Sequence, residues 1–347
     1  MTTPSGGPWP KLFHVKRSFV FLLALALLLT AGCAPAQPAE RTFFAMDTVM
    51  TLRLYQGGGE GALKQAEDRV RELEALLSVT GGDSEVYALN HAGAADLSPD
   101  TAELLGAALD LCRRTDGALD VSIYPVLRSW GFTTGEYAVP DDETLAALLA
   151  RVDYAQVKLD GSAAALPEGM EIDLGSVAKG YAGDALAALL RENGVTSALL
   201  DLGGNIQTVG SKPDGSPWRV AVRDPAGDGT IGVVEAENQA VVTSGGYERY
   251  FEEDGVRYWH ILDPKTGRPA RNGLASVTVV GASGLVCDGL STALFVMGLD
   301  GALDHWRAHR DFEAVLVSED GSVTVTAGLE DRFTPADSAG ALTVAAP

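Results

Sequence analysis

The order of predicted elements dictates an α+β fold, with mixed helices and largely antiparallel sheets. Three observations carry this. Short strand-like runs crowd together between Ser197 and Val280; helical patterns come in blocks before and after them instead of alternating with single strands; and neither a Rossmann glycine fingerprint nor a P-loop spacing occurs. Thr48 to Tyr55 alternates apolar and polar residues as a strand does. Glu60 to Leu77 carries apolar residues at helical spacing and ends before the turn at Thr80, Gly81 and Gly82. A second helix spans Ser98 to Arg114, with Ser98 as N-cap, Pro99 at its first position and a break at Gly117. Asp141 to Val152 is a third, and Asp173 to Asn193 is a loop feeding a helix that stops at Gly194. Strands follow at Ser197 to Asp201, Ile206 to Val209, Trp218 to Val222, Ile231 to Glu235, Ala240 to Thr243, Arg257 to Ile261 and Ser276 to Val280. Helices near Val286 to Met297 and Gly301 to Arg310 precede two closing strands, Ala314 to Ser318 and Ser322 to Thr326.

The first residues have the form of an export signal. Lys11, Lys16 and Arg17 precede an apolar run from Phe19 to Leu29, then small residues, Cys33 and a Pro/Ala/Gln-rich spacer. The run is short for a permanent membrane span, which favours cleavage over anchoring. LLLTAGC resembles a bacterial lipoprotein signal with Cys33 as the lipidated residue, although Thr30 stands where that pattern usually has Leu. The expected organisation is a signal over 1–32, a spacer over 33–41, one domain over 42–330 and a C-terminal tail over 331–347.

With 26 basic and 47 acidic residues among 347, the chain carries a formal charge of −21. Such a field makes nucleic acid an unsuitable partner. A bound diphosphate needs a local cation or backbone amides to hold it, which argues for a metal. Three cysteines, Cys33, Cys112 and Cys287, form neither a disulfide framework nor a zinc pattern; a single bridge between Cys112 and Cys287 stays open.

Several stretches combine residues suited to chemistry. TSGGYERYFEEDGVRYWHILDPKTGRP, from Thr243 to Pro269, sets hydroxyls, glycines, charges and aromatics between two strand-like runs, with His260 suited to proton transfer near neutral pH. DLGSVAKGYAGD, from Asp173 to Asp184, is a small-residue loop opening a helix, where free N–H groups and Lys179 meet anionic oxygens; a close-packed helix start explains the same residues. In LGGNI the glycines at 203 and 204 permit either close ligand approach or a plain turn. DGLSTALFVMG sets Asp288 and Thr292 one helical turn apart on one face, a pairing that suits Mg²⁺, with an N-terminal cap at Asp288 as the competing explanation. AMDTVMTL and GALDVSIYPVLRSWGF offer Met and aromatic residues that wall a flat ring or simply fill core.

Taken together and in this order, MDT, GALD, DLGSVAKGYAGD, LGGNI, TSGGYERYF, HILDPKTGRP and DGLSTALFVMG resemble the ApbE family, the FAD:protein FMN transferases, from about Phe43 to Asp311. The resemblance implies an ApbE-like α+β fold and a Mg²⁺-dependent transfer of the FMN moiety of FAD onto a Thr or Ser hydroxyl of a redox protein, releasing AMP. It implies that Met46, Thr80, Ala118, Leu119, Asp120, Asp173, Lys179 and Ile261 surround FAD. Asp288, Thr292 and an oxygen of Ser176 are the implied metal ligands, and His260 the implied general base. The implied partners are flavin-accepting subunits of membrane redox complexes, reached from a lipid anchor on the extracytoplasmic face. Two positions depart from the family pattern: Asp47 stands where many members have Gly, and Gly246 where an Asp often precedes the Tyr. Two other functions use the same residues. Hydrolysis of FAD to FMN and AMP would accumulate free FMN without an acceptor, and a non-catalytic flavin-binding lipoprotein would bind FAD and release no AMP.

Overall fold

The computed structural model describes residues 1–3 and 37–347. Cys33 and the export-signal reading lie outside the described residues. In chain order the elements are β1 (Ala39–Ala45), β2 (Thr48–Gln56), α1 (Glu60–Leu77), α2 (Glu85–Ala92), β3 (Ala94–Asp96), α3 (Pro99–Arg114), α4 (Tyr124–Ser129), α5 (Asp142–Leu149), β4 (Lys158–Asp160), β5 (Ala163–Ala165) and α6 (Gly175–Glu192). Then come β6 (Ser197–Leu202), β7 (Ile206–Val209), β8 (Trp218–Arg223), β9 (Thr230–Ala236), β10 (Ala240–Gly245), β11 (Tyr250–Glu253), β12 (Val256–Trp259), β13 (Leu274–Gly281), α7 (Gly284–His309), β14 (Glu313–Ser318), β15 (Val323–Thr326), β16 (Phe333–Pro335) and β17 (Leu342–Ala345).

A nine-stranded sheet in the order β1-β2-β6-β7-β10-β13-β14-β15-β17 is the backbone of the fold. Its pairs are antiparallel except β15 with β17. In its centre the strands are apolar on both faces, because each face is covered. Val242, Val279, Ala314 and Leu316 join the helical core, whereas their neighbours Val241, Val280, Val315 and Val317 pack with Val220, Val222 and Val234 of the β16-β9-β8 sheet. The period of two sends successive side chains to opposite cores. A third, smaller cluster of Val126, Trp130, Phe132, Leu145 and Leu262 holds Phe251 and Tyr258 of the β11-β12 ribbon.

Helix starts follow the cap chemistry of the sequence. Ser98 accepts a hydrogen bond from the Thr101 amide ahead of Pro99, and Asp141 accepts from Thr144 at 2.7 Å. Gly194, at φ +76°, ends α6 in the left-handed conformation that glycine adopts at least cost.

Some elements differ from expectation. The two helices predicted between Val286 and Arg310 are both present, run together as α7 and separated at Gly298, whose non-helical backbone (φ 74°, ψ 179°) is one that glycine tolerates best. The strand predicted over Arg257 to Ile261 ends at Trp259, because the Ile261 carbonyl turns to accept from the Ala270 amide and the chain enters a Leu262–Pro269 bridge. α5 stops at Leu149, short of Val152. α2 has no counterpart in the periodicity, since its two turns bury only Val86 and Leu89; Ser84 caps it and Gly93 ends it. Strand β1 begins at Ala39, inside the residues read as spacer, while β16 and β17 lie in the segment read as tail and pair with β9 and β15. These strands are short or half-exposed, so their apolar pattern is weak. Cys112 and Cys287 are both buried and free, which closes the question of a bridge between them.

Candidate active site

The motifs converge on one cleft of about 700 Å³, a volume typical of a site for a large organic ligand. Its floor is made by the meeting of α6 and α7. Small residues make that approach possible: a Cβ added at Gly180 would stand 2.1 Å from the Gly284 carbonyl oxygen and 2.7 Å from the Asp288 Cβ. At this separation the Gly180 amide donates to Asp288 Oδ2 at 2.8 Å across the helix pair. A regular helix directs that amide at the Ser176 carbonyl, so Asp288 competes for it and leaves the carbonyl oxygen with accepting capacity. Asp184, the last residue of DLGSVAKGYAGD, accepts from Gly284 N, Ser283 Oγ and Leu285 N and thereby fixes the start of α7. Asp288 itself is no cap. Ser283 holds the N-cap position, and Asp288 lies in the next turn, 4% exposed.

Burial raises the Asp288 pKa above the usual carboxylate range, while Lys179 and the Gly180 amide pull it back. Thr292, one turn along, is 3.4 Å from Ser244 Oγ, which pairs instead with Ser291 Oγ at 2.7 Å, so the Thr292 hydroxyl is only weakly engaged. The Asn205 Nδ2 atom is buried with no hydrogen-bond partner in the protein. A free carboxylate oxygen, a weakly engaged hydroxyl and a carbonyl make a hard-oxygen donor set of the kind that Mg²⁺ takes. Electrostatics adds an independent reason: Asp47, Asp120, Asp173, Asp201, Glu248 and Asp288 line the cleft against Lys179, Arg223 and Arg249. A diphosphate entering such a site needs a cation. The donors therefore fit the metal.

The opposite wall carries His260, the first residue after β12. Its Nδ1 lies 3.2 Å from the Arg249 carbonyl oxygen, so Nδ1–H donates there and Nε2 is left as the acceptor. Desolvation, reinforced by Arg249 and Lys179, pushes its pKa down to about 3, despite the opposing bond to Arg249. The ring is therefore neutral across the physiological range, with Nε2 unprotonated. Arg249 is pinned in turn, donating to the Phe132 carbonyl at 2.7 Å.

Met46, Ala118, Leu119, Asp120, Asp173, Ser176, Lys179, Ile261, Asp288, Thr292 and His260 all lie in the lining of this cleft. Thr80 does not. It is exposed in the turn after α1, where its amide is 3.3 Å from Ser78 Oγ. Asp120 lines the wall, but its carboxylate already accepts from Ser122 N, Ser122 Oγ and Tyr154 N, which assigns it to holding that wall in shape. Asp173 caps the entry to α6 by accepting from Gly175 N at 2.8 Å, and burial raises its pKa. Met46 and Asp47 are the two loop residues of the β1-β2 hairpin, both at positive φ (48° and 59°), which explains why glycine suits position 47. Gly246 is tight as well, since a Cβ there would be 2.9 Å from the Trp259 ring.

Sequence reasoning passed over Glu248, Arg223, Ser244 and Asn205, all of which line the cleft. Glu248 is the most perturbed of these, its pKa pushed up to about 7, chiefly by desolvation with Asp288 adding to it against Lys179 and Arg223. It stood inside the quoted TSGGYERYF stretch; its nearness to Asp288 depends on the β10-β13 pairing and could not be read there.

Fold and cleft together define an α+β protein whose site sets a buried carboxylate and a helix N-terminus against a neutral histidine, dimensioned for a large phosphate-bearing ligand. The chain belongs to the ApbE family, whose model matches residues 46–316. It is 36% identical to a FAD:protein FMN transferase of Vibrio cholerae serotype O1 over 80% of this chain and 87% of that one, and 34% identical to one of Klebsiella pneumoniae over 84% and 93%. Among solved structures it is similar to the ApbE protein of Thermotoga maritima (TM-score 0.81, 31% identity, 85% of this chain and 99% of that one). The apo flavinyl transferase ApbE of Pseudomonas stutzeri is also similar (TM-score 0.76, 31% identity, 86% and 97%).

Proposed function

We infer that this protein is an enzyme that transfers the FMN moiety of FAD to a target protein, with a Thr or Ser hydroxyl as acceptor and AMP as leaving group. The observation that carries this reading is the presence of His260, with Nε2 free, and the Asp288–Thr292 pair in the lining of one cleft. Met46, Ala118, Leu119 and Ile261 give apolar surface against a flat ring, while Lys179 turns positive charge toward anionic oxygens. Mg²⁺ held by Asp288, Thr292 and the Ser176 carbonyl supplies charge neutralisation at the diphosphate when bound.

His260 takes the hydroxyl proton as the acceptor oxygen bonds to the FMN phosphorus. The bond from that phosphorus to the bridging oxygen breaks, and this oxygen leaves with AMP. General-base removal contributes about 10²- to 10⁴-fold in such reactions.

Lipidation at Cys33 and acceptor subunits of membrane redox complexes form part of the same proposal. The basic residues, apolar run and LLLTAGC segment support it, and holding enzyme and acceptor on one surface raises their effective concentration. The test is to mix the protein with FAD, Mg²⁺ and a Thr-bearing redox domain and read the intact mass of that domain. The expected result is an added FMN that disappears with EDTA. Free FMN and AMP beside an unmodified acceptor would replace transfer by hydrolysis.

A further inference from the structure

Large apolar side chains left in solvent are few among the described residues, and three of them lie on or against the β11-β12 ribbon, which ends just before His260. Tyr137 is 51% exposed, Tyr250 40% and Val256 43%. Tyr137 stacks on Phe251 with ring centroids 5.0 Å apart and meets Phe132 at 5.8 Å, and the buried Phe132 in turn meets the His260 ring edge-on at 6.2 Å, so aromatic contacts link the exposed Tyr137 to the proposed base.

The backbone of the same ribbon is open. β11 pairs only with β12, in the register Tyr250↔Trp259, Phe251↔Tyr258, Glu252↔Arg257 and Glu253↔Val256. The His260 amide donates to the Arg249 carbonyl, so residues 249, 251 and 253 turn their backbone groups inward to β12. By the same alternation Tyr250 and Glu252 turn theirs outward, and no backbone or side-chain partner meets them among the described residues. The far edge of β12 differs, since the Arg271 guanidinium covers the Arg257 carbonyl there. This edge, short and flanked by exposed aromatics, ends beside His260 and leaves backbone groups with which an extended segment can pair.

We propose that this edge is where the acceptor polypeptide docks, as an extended segment that pairs with the outward groups of Tyr250 and Glu252 and rests apolar side chains on Tyr137, Tyr250 and Val256. The proposal rests on the transferase reading, because only a macromolecular acceptor must cover the surface around His260 to bring its hydroxyl there. Main-chain pairing supplies affinity with little dependence on sequence, and the aromatic rim supplies the preference for apolar neighbours of the acceptor residue. None of the docking side chains lines the FAD cleft. Recognition of the acceptor is thereby separated from recognition of the flavin donor.

The experiment measures transfer kinetics against a Thr-bearing redox domain on which the wild-type full chain is active, at saturating FAD and Mg²⁺. Two variants are compared with wild type: Tyr137→Ser combined with Val256→Ser, and Glu252→Pro, which removes one outward N–H and leaves the β12 ladder intact. Each is expected to raise KM for the acceptor about tenfold, equivalent to 1.4 kcal/mol of binding, with kcat and the Kd for FAD unchanged. An unchanged KM in both variants overturns the proposal, and so does a fall in kcat at constant KM, which would make the ribbon a support for His260 alone. Loss of transfer by the wild type itself, with any tested acceptor, overturns the transferase reading instead.

Discussion

The two walls of the cleft are built in opposite ways. The α6-α7 wall belongs to the main core: Val177, Ala178, Ala182, Leu290 and Ala293 are buried around it, and the helices touch backbone to backbone at Gly180 and Gly284. The His260 wall is anchored to that core by Trp259, Ile261 and Ala270, and otherwise rests on a satellite cluster of five buried side chains and a two-stranded ribbon. The first wall fixes a carboxylate where it would not stand unaided, out of water and beside other acids. The second holds a neutral base on a light element with an open edge. Charge positioned against its own solvation needs a rigid frame, because any loosening lets water in and the group relaxes. A neutral imidazole with one hydrogen bond to the backbone asks for less.

The sharpest way to break that contrast is Gly180→Ala. The new Cβ has nowhere to go but into the Gly284 carbonyl, so the helix pair must part, at a cost of about 1–3 kcal/mol or more. Activity should disappear together with a fall in Tm of several degrees. An alanine variant as stable and active as wild type would show that the close approach does not hold Asp288. His260→Gln is expected to lower kcat by about 10²- to 10⁴-fold with little change in FAD affinity, which single-turnover kinetics and a binding titration would separate. Asp288→Asn keeps an acceptor for the Gly180 amide while removing the charge, so transfer should fall by about 10²- to 10³-fold. Thermal stability should hold or rise, since an unpaired buried charge is costly. A sharp drop in Tm would instead make the carboxylate itself structural.

The walls should also differ in their response to pH. His260 stays neutral when folded and takes a proton when unfolded, so it contributes stability that is lost as pH falls from 6.5 towards about 3. Glu248 has the opposite sign: its folded pKa is raised to about 7, so its contribution is complete below 4.5 and lost as pH rises through 7. In EDTA, Glu248→Gln should therefore flatten the decline in Tm between pH 4.5 and 7 and leave the acid limb alone; an unaltered decline would exclude Glu248 as its source. The mildest test is Trp130→Phe. It removes the 2.8 Å bond from Trp130 Nε1 to the Gly267 carbonyl that ties the satellite cluster to the hairpin after His260, at about 1 kcal/mol. Transfer should slow slightly while metal dependence stays as in wild type.

Chain order alone determined much of this. Caps at Ser98 and Asp141, the strand alternation of β2, the period of α1 and the stop at Gly194 are local chemistry, set by residues within a turn of one another. The pairing of Asp288 with Thr292 on one helical face is local in the same sense. Thr80 was expected at the flavin by resemblance alone, and the fold leaves it in solvent beside Ser78, outside the cleft lining. Only tertiary structure decided which of two meanings each motif has. Asp184 and Asp288 both stand in glycine-rich, small-residue stretches; one became the clamp for α7 and the other the buried carboxylate of the cleft, according to which helix lay across from it. The tautomer of His260 hangs on a carbonyl eleven residues earlier, and the raised pKa of Glu248 depends on desolvation in a cleft shared with a helix forty residues later. Desolvation and long-range contact are properties of the packed chain, and no window of sequence contains them.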